Sequence, residues 1–356
     1  MNAEAKKASL IIDSTAKAIA NWTVEQHASM APHLPDRYGP NWCADWVGHA
    51  LSQVHLLAQA VAVRSSALFA HSIRWQFESF KARGVAPTDL LQNLNCLKGV
   101  LAAELPPPVA RETVEFVADA IKSLDSPMGD VEAEPVAASE MRTPVLKYLE
   151  AILEGNRAAA ESIIGAAHQS GASVADIYEK ILAPAQQRLG WMWHHGEISV
   201  ADEHFGSATT QSVMSQLRPH FQRLPGNGRS VVATSTPGDL HEIGLRMVAD
   251  LFEIDGWKVT FLGANTPVAD VVELLERRRF DLLALSVSTA LTLRDAGELI
   301  EAIRGTSATA ATKVLIGGPP FRVVQEVWRE LGADGCALSA VEAVTAGNRL
   351  VRGFNG

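Results

Sequence analysis

The chain has little of what marks secreted, zinc-binding or nucleic-acid-binding proteins. Its three cysteines, Cys43, Cys96 and Cys336, lie far apart and in no Cys-x-x-Cys spacing, which excludes a zinc knuckle and points to a reducing compartment without disulfides. No basic run is longer than Arg277-Arg278-Arg279, and a net charge of −9 leaves no basic face for direct nucleic-acid contact. No stretch approaches the roughly 18 apolar residues of a membrane span, and Met1 to Ile12 has lysines without a long apolar core. A cytoplasmic, membrane-free protein is expected. No hydrolase or transferase motif occurs, so the chain is not expected to be an enzyme.

What is present divides into segments. With 356 residues and 47% hydrophobic content, two or three domains can each have a core. From Ala8 to about Leu124 the apolar spacing is helical, as in Val47, Leu51, Val54, Ala58 and Val61, with breaks at Pro32 to Pro40, Gly84 to Pro87 and Pro106-Pro107-Pro108. Five or six helices in a domain of residues 1–125 are predicted. Residues 126–143 lack periodicity and read as a linker. Residues 144–224, broken near Gly155-Asn156, Ser170-Gly171 and Gly196, have the parts of a four-helix bundle, with Ser173 and Ser199 as N-caps. Residues 225–356 alternate short apolar runs with amphipathic helices, the pattern of a flavodoxin-like, doubly wound parallel sheet. The strands are predicted at Ser230 to Ser235, Trp257 to Leu262, Asp281 to Val287, Lys313 to Gly317 and Gly335 to Leu338, with helices starting near His241, Pro267, Thr292 and Phe321.

In such sheets ligands bind beyond the carboxyl ends of the strands. There, after the first strand, stands Pro237-Gly238-Asp239-Leu240-His241-Glu242-Ile243-Gly244. A carboxylate two residues before a histidine can hold one ring nitrogen and leave the other for a metal, and Gly244 lets a ligand approach the helix backbone. Taken alone, such a pair is more often a surface hydrogen bond than a metal site.

The pattern Asp-x-His-x-x-Gly resembles the signature of the cobalamin-binding domains of methionine synthase, the carbon-skeleton mutases and cobalamin photoreceptors. The resemblance continues through Leu262-Gly263-Ala264-Asn265-Thr266-Pro267, Ser286-Val287-Ser288-Thr289 and Gly317-Gly318, each at a strand end and in the family's order. It implies that His241 ligates cobalt from below, supported by Asp239. It also implies that Ser286 bonds the cofactor's tail and that Gly263, Gly317 and Gly318 leave room for it. Ser288 stands where the family often has leucine.

The helices before this domain resemble the cap of methionine synthase and of CarH-type light-sensing regulators. Trp193, with nine residues between it and Glu203-His204, is similar to the Trp-x9-Glu-His motif of those photoreceptors. The resemblance implies adenosylcobalamin, with Trp193 packed on the adenosyl group and Glu203 and His204 at its polar edge. It further implies that His194 ligates cobalt from above after light removes that group. Trp191 reads as bundle core and His195 as a surface residue. The reading that follows is a light sensor, a homo-oligomer whose conformation or assembly changes on photolysis and which acts on a partner protein or output regulator. The alternative is a corrinoid methyl carrier serving methyltransferases. A mutase is disfavoured because no barrel of about 250 residues is present.

Residues 1–125 hold Trp22, His27, His33, Trp42, Trp46, His49, His55, His71 and Trp75 where CarH-type regulators have a DNA-binding domain. These residues read as core aromatics of an oligomerisation or partner-binding domain. A second reading is similar to the photocobilins: a biliverdin site with Arg64, Arg74 or Lys81 at the propionates. A haem held by His49, His55 or His71 is a third.

Overall fold

The structure is a computed structural model and describes residues 2–125, 136 and 139–352. Two compact units are formed, one by Met1–Pro127 with Thr289–Gly297 and Val323–Leu331, the other by Met128–Ser288, Glu298–Arg322 and Gly332–Gly356.

The first unit is helical: α1 (Ala3–Met30), α2 (Leu34–Tyr38), α3 (Trp42–Ala62), α4 (Ser66–Ala82), α5 (Pro87–Glu104) and α6 (Pro107–Ser123). Asn2 and Ser65 cap α1 and α4 through their side chains, and prolines open α5 and α6, where a missing N–H costs nothing. The short α2 lies inside the predicted break between Pro32 and Pro40. Ile12 and Ile19, Leu57, Phe69, Leu97 and Val117 meet in one apolar core.

The histidines and tryptophans of this unit divide by position. His27, His49 and Trp46 are buried, their rings in edge contact at 4.8 and 5.8 Å, while Trp22 and Trp75 are exposed. Asn93 lies 3.3 Å from His27 Nδ1 and Gln53 lies 2.9 Å from His49 Nε2. His55 pairs with Asp13 at 2.8 Å. Burial lowers the His49 pKa to about 4, with His27 adding to the effect.

The second unit opens with α7 (Arg142–Leu153), α8 (Arg157–Gln169), α9 (Val174–Ile177), a π turn over Tyr178–Leu182, α10 (Ala183–His194) and α11 (Val200–Leu217). Of the linker expected at 126–143, residues 126–135, 137 and 138 lie outside the described residues, and α7 has already begun at Arg142. Ser173 caps α9, and Ser199 caps α11 in a reciprocal pair with Asp202. The π turn has a local cause. Pro184 has no N–H to give to Lys180 four residues earlier, and its ring would crowd that carbonyl. The Lys180 oxygen instead accepts the Ser139 hydroxyl at 2.7 Å.

The sheet comprises β1 (Ser230–Ser235), β2 (Lys258–Gly263), β3 (Leu282–Ser286), β4 (Lys313–Gly317) and β5 (Gly335–Ala337). All pairings are parallel, in the order β2-β1-β3-β4-β5. The connecting helices are α12 (Ile243–Ile254), α13 (Val268–Arg277), α14 (Leu293–Gly305), α15 (Pro320–Val323) and α16 (Val327–Glu330), and α17 (Ala340–Arg352) closes the chain. Strands β1, β3 and β4 read as buried apolar runs, as a sheet covered on both faces requires, while β2 at the sheet's edge is half-buried. The chain leaves β1 toward β2 on one side and returns to β3 on the other, so the ends of β1 and β3 diverge into a crevice.

The helices and the sheet of this unit are joined by polar bonds as well as apolar packing. Tyr178, in the π turn, donates to Asp250 of α12 at 2.8 Å, both side chains being buried, and the Arg218 guanidinium takes the other Asp250 oxygen. Burial pushes the Asp250 carboxyl and the Tyr178 hydroxyl up. Among the described residues, no helix is long and apolar enough to cross a membrane.

Candidate functional site

The β1 end is shaped by its own hydrogen bonds. Ser235 Oγ donates to Asp239 O at 2.9 Å and accepts the Asn265 N–H at 3.1 Å, while Gly238 N–H donates to Asn265 Oδ1 at 2.8 Å. The loop after β1 is thereby tied to the loop after β2. Asn265 sits in the left-handed region at φ 55°, which its short polar side chain tolerates, and Gly238 at φ 80° needs no such tolerance.

Within this frame Asp239 is fully enclosed and makes three bonds. Its Oδ1 accepts the His241 backbone N–H at 3.0 Å and the His241 Nδ1–H at 2.9 Å, and its Oδ2 accepts the Ser288 N–H at 2.6 Å. Burial alone would raise the Asp239 carboxyl; the bonds from His241 and Ser288 outweigh it and hold the carboxyl below the usual range. The same bond raises His241, with burial opposing and Glu203 contributing a smaller charge effect. With Nδ1 committed to Asp239, the lone pair of neutral His241 belongs to Nε2, and the side chain is 71% exposed. Helix α12 begins only at Ile243, two residues later than the expected start, so His241 stands in the loop.

The other motif residues take distinct places. Ser286 ends β3, in register with Ser235 of β1 and Gly317 of β4. Ser288 contributes its backbone N–H to Asp239, a role that does not depend on its side chain. A Cβ on Gly244 would stand in open space. At Gly263, φ 78°, it would come 3.0 Å from the Glu242 carboxylate. Gly317 and Gly318 are constrained by the protein itself: a Cβ would meet Ala337 O at 2.5 Å or Val287 O at 1.9 Å.

From the helices of this unit, Glu203 lies in the first turn of α11 and accepts the Ser207 hydroxyl at 2.7 Å. His204 turns outward, 70% exposed, with Nε2 3.9 Å from Glu203. Trp193 is 37% exposed at the end of α10, and His194 beside it is only 2% exposed. Trp191, expected in the bundle core, is half-buried instead, stacked on His195 at 3.8 Å with Arg188 4.2 Å from its ring. His195 is likewise half-buried, because its Nδ1 bonds Trp191 O at 2.8 Å.

Two contributors escaped the sequence reading. Glu242 Oε1 accepts Gln211 Nε2 at 3.0 Å, which fastens α11 to the residue after His241. Asn265 links the first two loops. Its place before Thr266-Pro267 was the one available signal, since Asn in a turn favours the left-handed region.

Among the described residues no group of three or more His, Cys, Asp or Glu side chains could hold a bare metal ion. A single oriented imidazole fits a metal whose remaining ligands come with a macrocycle, as in a corrinoid. Open space at Gly244, one helical residue beyond the loop, fits it too.

Comparison with known proteins agrees. Residues 229–346 and residues 146–218 match two family models, each described as B12 binding domain. A corrinoid protein of Desulfitobacterium hafniense (strain Y51) is 26% identical over 208 residues, 57% of this chain and 94% of that protein. The trimethylamine corrinoid protein of Methanosarcina barkeri is 26% identical over 203 residues, covering 56% and 93%. The structure of the Methanosarcina barkeri monomethylamine corrinoid protein shares the fold, with a TM-score of 0.53 at 23% identity over 59% of this chain and 99% of that one. These relatives overturn the light-sensor expectation and favour its alternative; the bilin tied to light sensing falls with it. Residues 146–218 and 229–346 of the chain are B12-binding domains.

Proposed function

We propose that the protein is a corrinoid methyl carrier, a partner of methyltransferases rather than a catalyst itself. The observation that carries this reading is His241, exposed at Nε2 and held at Nδ1 by the buried Asp239, at the crevice end of β1. Relatives named for trimethylamine and monomethylamine support it. When bound, the corrinoid supplies a cobalt centre that takes up and gives away a methyl group.

The chain's own residues bind and orient that group. His241 would hold the cobalt through Nε2, and Asp239 fixes the ring's tautomer and direction while Ser288 N–H fixes Asp239. Gly244 leaves the helix start open, Gly263 shapes the second loop, and Ser286, Gly317 and Gly318 line the strand ends. Trp193 and His194 at the end of α10, and Glu203 and His204 at the start of α11, would line the side of the group away from His241. In this assignment residues 144–224 cap the cofactor, 225–356 bind it, 126–143 connect, and 1–125 contact a partner protein.

The test loads the full chain with hydroxocobalamin, reduces it with titanium(III) citrate and offers methyl iodide. A methylated visible spectrum is expected, and His241→Ala should give the spectrum of a cofactor without a nitrogen below the metal. Wild type that binds no cobalamin, or binds it and takes no methyl group, refutes the reading.

A further inference from the structure

His168 and His220 are far apart in the sequence and meet in the second unit, their ring centres 4.9 Å apart and their planes inclined at 51°. Each is put there by its own backbone. Helix α8 gives way at Gly171, whose φ of 97° lets the chain turn back, and the turn brings Ala172 O to 3.1 Å from His168 Nδ1. A carbonyl can only accept, so Nδ1 carries the proton and Nε2 of the neutral ring keeps the lone pair. His220 ends the 3-10 turn Arg218–His220, which contains Pro219 and follows α11. Phe221, the next residue, is buried in the apolar core of the helices, and Arg218 is bonded to Asp250 and Glu253 of α12. The backbone on both sides of His220 is thus fixed, while His220 itself is exposed and makes no hydrogen bond to the described residues.

The two rings are neither stacked nor edge to face. Stacked rings in this chain look like Trp191 and His195, 3.8 Å apart and inclined at 26°. The spacing of His168 and His220 fits two imidazoles on a shared ion. A metal lies about 2.0–2.1 Å from a histidine nitrogen, and the ring centre lies about 1.1 Å behind that nitrogen, so bond angles from a right angle to tetrahedral put two ring centres about 4.5–5.2 Å apart. The observed 4.9 Å falls inside that range. The His168 bond is a second, separate sign, because metal-binding histidines give their other N–H to a carbonyl or carboxylate, as Nδ1 does here to Ala172 O. Among the described residues no third His, Cys, Asp or Glu joins the pair. Water fills the remaining positions, and a net charge of −9 favours a cation at the surface.

We propose that His168 and His220 form a binding site for a divalent transition ion of the zinc, nickel and copper class, built without His241 or any other residue of the crevice. Imidazole suits these ions, whereas magnesium and calcium require oxygen ligands. Bound there, the ion holds from α8 the segment that runs from α11 into β1, which Arg218 and Arg223 already hold from α12. The ion is therefore a cross-link of the second unit.

The experiment strips the full chain of metal with EDTA and titrates it calorimetrically with zinc chloride, and separately with magnesium chloride. Wild type is expected to bind zinc and not magnesium. His168→Gln and His220→Gln should each remove one equivalent of zinc or weaken it about tenfold or more, since even groups that only orient a ligand contribute about 10–100-fold to metal affinity. Glutamine at 168 keeps an N–H for Ala172 O, and circular dichroism of both variants should match wild type. His204→Gln, which removes another exposed histidine, should leave this zinc equivalent in place. Zinc at about a hundred times its Kd should raise the midpoint of the second unit's transition by about 5 °C in wild type and not in the two variants. Equal zinc binding by wild type, His168→Gln and His220→Gln overturns the proposal. So does a loss in only one of the two, or the same loss in His204→Gln.

Discussion

Tyr178→Phe removes one oxygen and leaves the ring in place. That oxygen donates to Asp250 Oδ2 at 2.8 Å in a buried setting, and the carboxylate keeps only the Arg218 guanidinium and its neighbours afterwards. A hydrogen bond to a charged group contributes about 1.5–3 kcal/mol, and the surviving ion pair places the loss near the middle, about 2 kcal/mol. For a unit of this size each kcal/mol moves the midpoint by about 2–4 °C, so a drop of about 4–8 °C is expected. Scanning calorimetry of the full chain should show it in the transition of the unit holding Met128–Ser288 and leave that of the first unit in place. The pH dependence has a definite sign. Burial raises the Asp250 pKa in the fold, so the fold loses stability from this group as pH rises from the ordinary value of 3.8 through the raised one. The Tyr178 hydroxyl relieves part of that loss, and the penalty of Tyr178→Phe should therefore shrink at pH below 3.8. Combined with Asp250→Asn, the two changes should couple by about 1 kcal/mol or more. A midpoint shift under about 1 °C, or strictly additive double-variant values, refutes the reasoning.

Two further outcomes are expected. His49, neutral in the fold with its pKa lowered from 6.5 to about 4, should make the first unit lose up to about 3 kcal/mol as pH falls from 6.5 toward 4; urea midpoints at pH 7 and 4.5 measure this, and His49→Gln should lose distinctly less. Ser199→Ala, which opens the paired cap of α11, should cost about 1 kcal/mol and Ser199→Asp much less, with thermal unfolding followed by circular dichroism as the check.

The elements were legible where composition changes sharply at their ends. The run Ser230–Ser235 is bounded by a glycine-rich turn and by Thr236-Pro237, and Lys313–Gly317 ends at two glycines, so both strands stand where the apolar pattern puts them. The π turn was invisible because Tyr178-Glu179-Lys180-Ile181-Leu182 keeps a helical apolar pattern, and only Pro184 signals that a backbone bond must be rerouted. At the site, the Asp239–His241 contact follows from a two-residue spacing that a loop readily closes. Gln211–Glu242 joins residues 31 apart and Tyr148–Thr210 joins residues 62 apart. No local pattern encodes such pairs; they exist only once α11 lies against α7, α10 and the loop. Trp191 was misplaced for a similar reason: a large ring suggests a core, but Arg188 and His195 on its own helix already cover it.

Gly317 and Gly318 illustrate a difference between residues that a cofactor requires and residues that the scaffold requires. A side chain at Gly318 would strike Val287 O, and one at Gly317 would strike Ala337 O, whether or not a corrinoid is bound. Gly244 and His241 face open space and carry no such obligation. A descendant of this chain that had lost the cofactor would be free to change His241 and Gly244 but would still keep the paired glycines. The glycine pair thus answers to the scaffold, while on the proposed reading the histidine and its open neighbour answer to the cofactor.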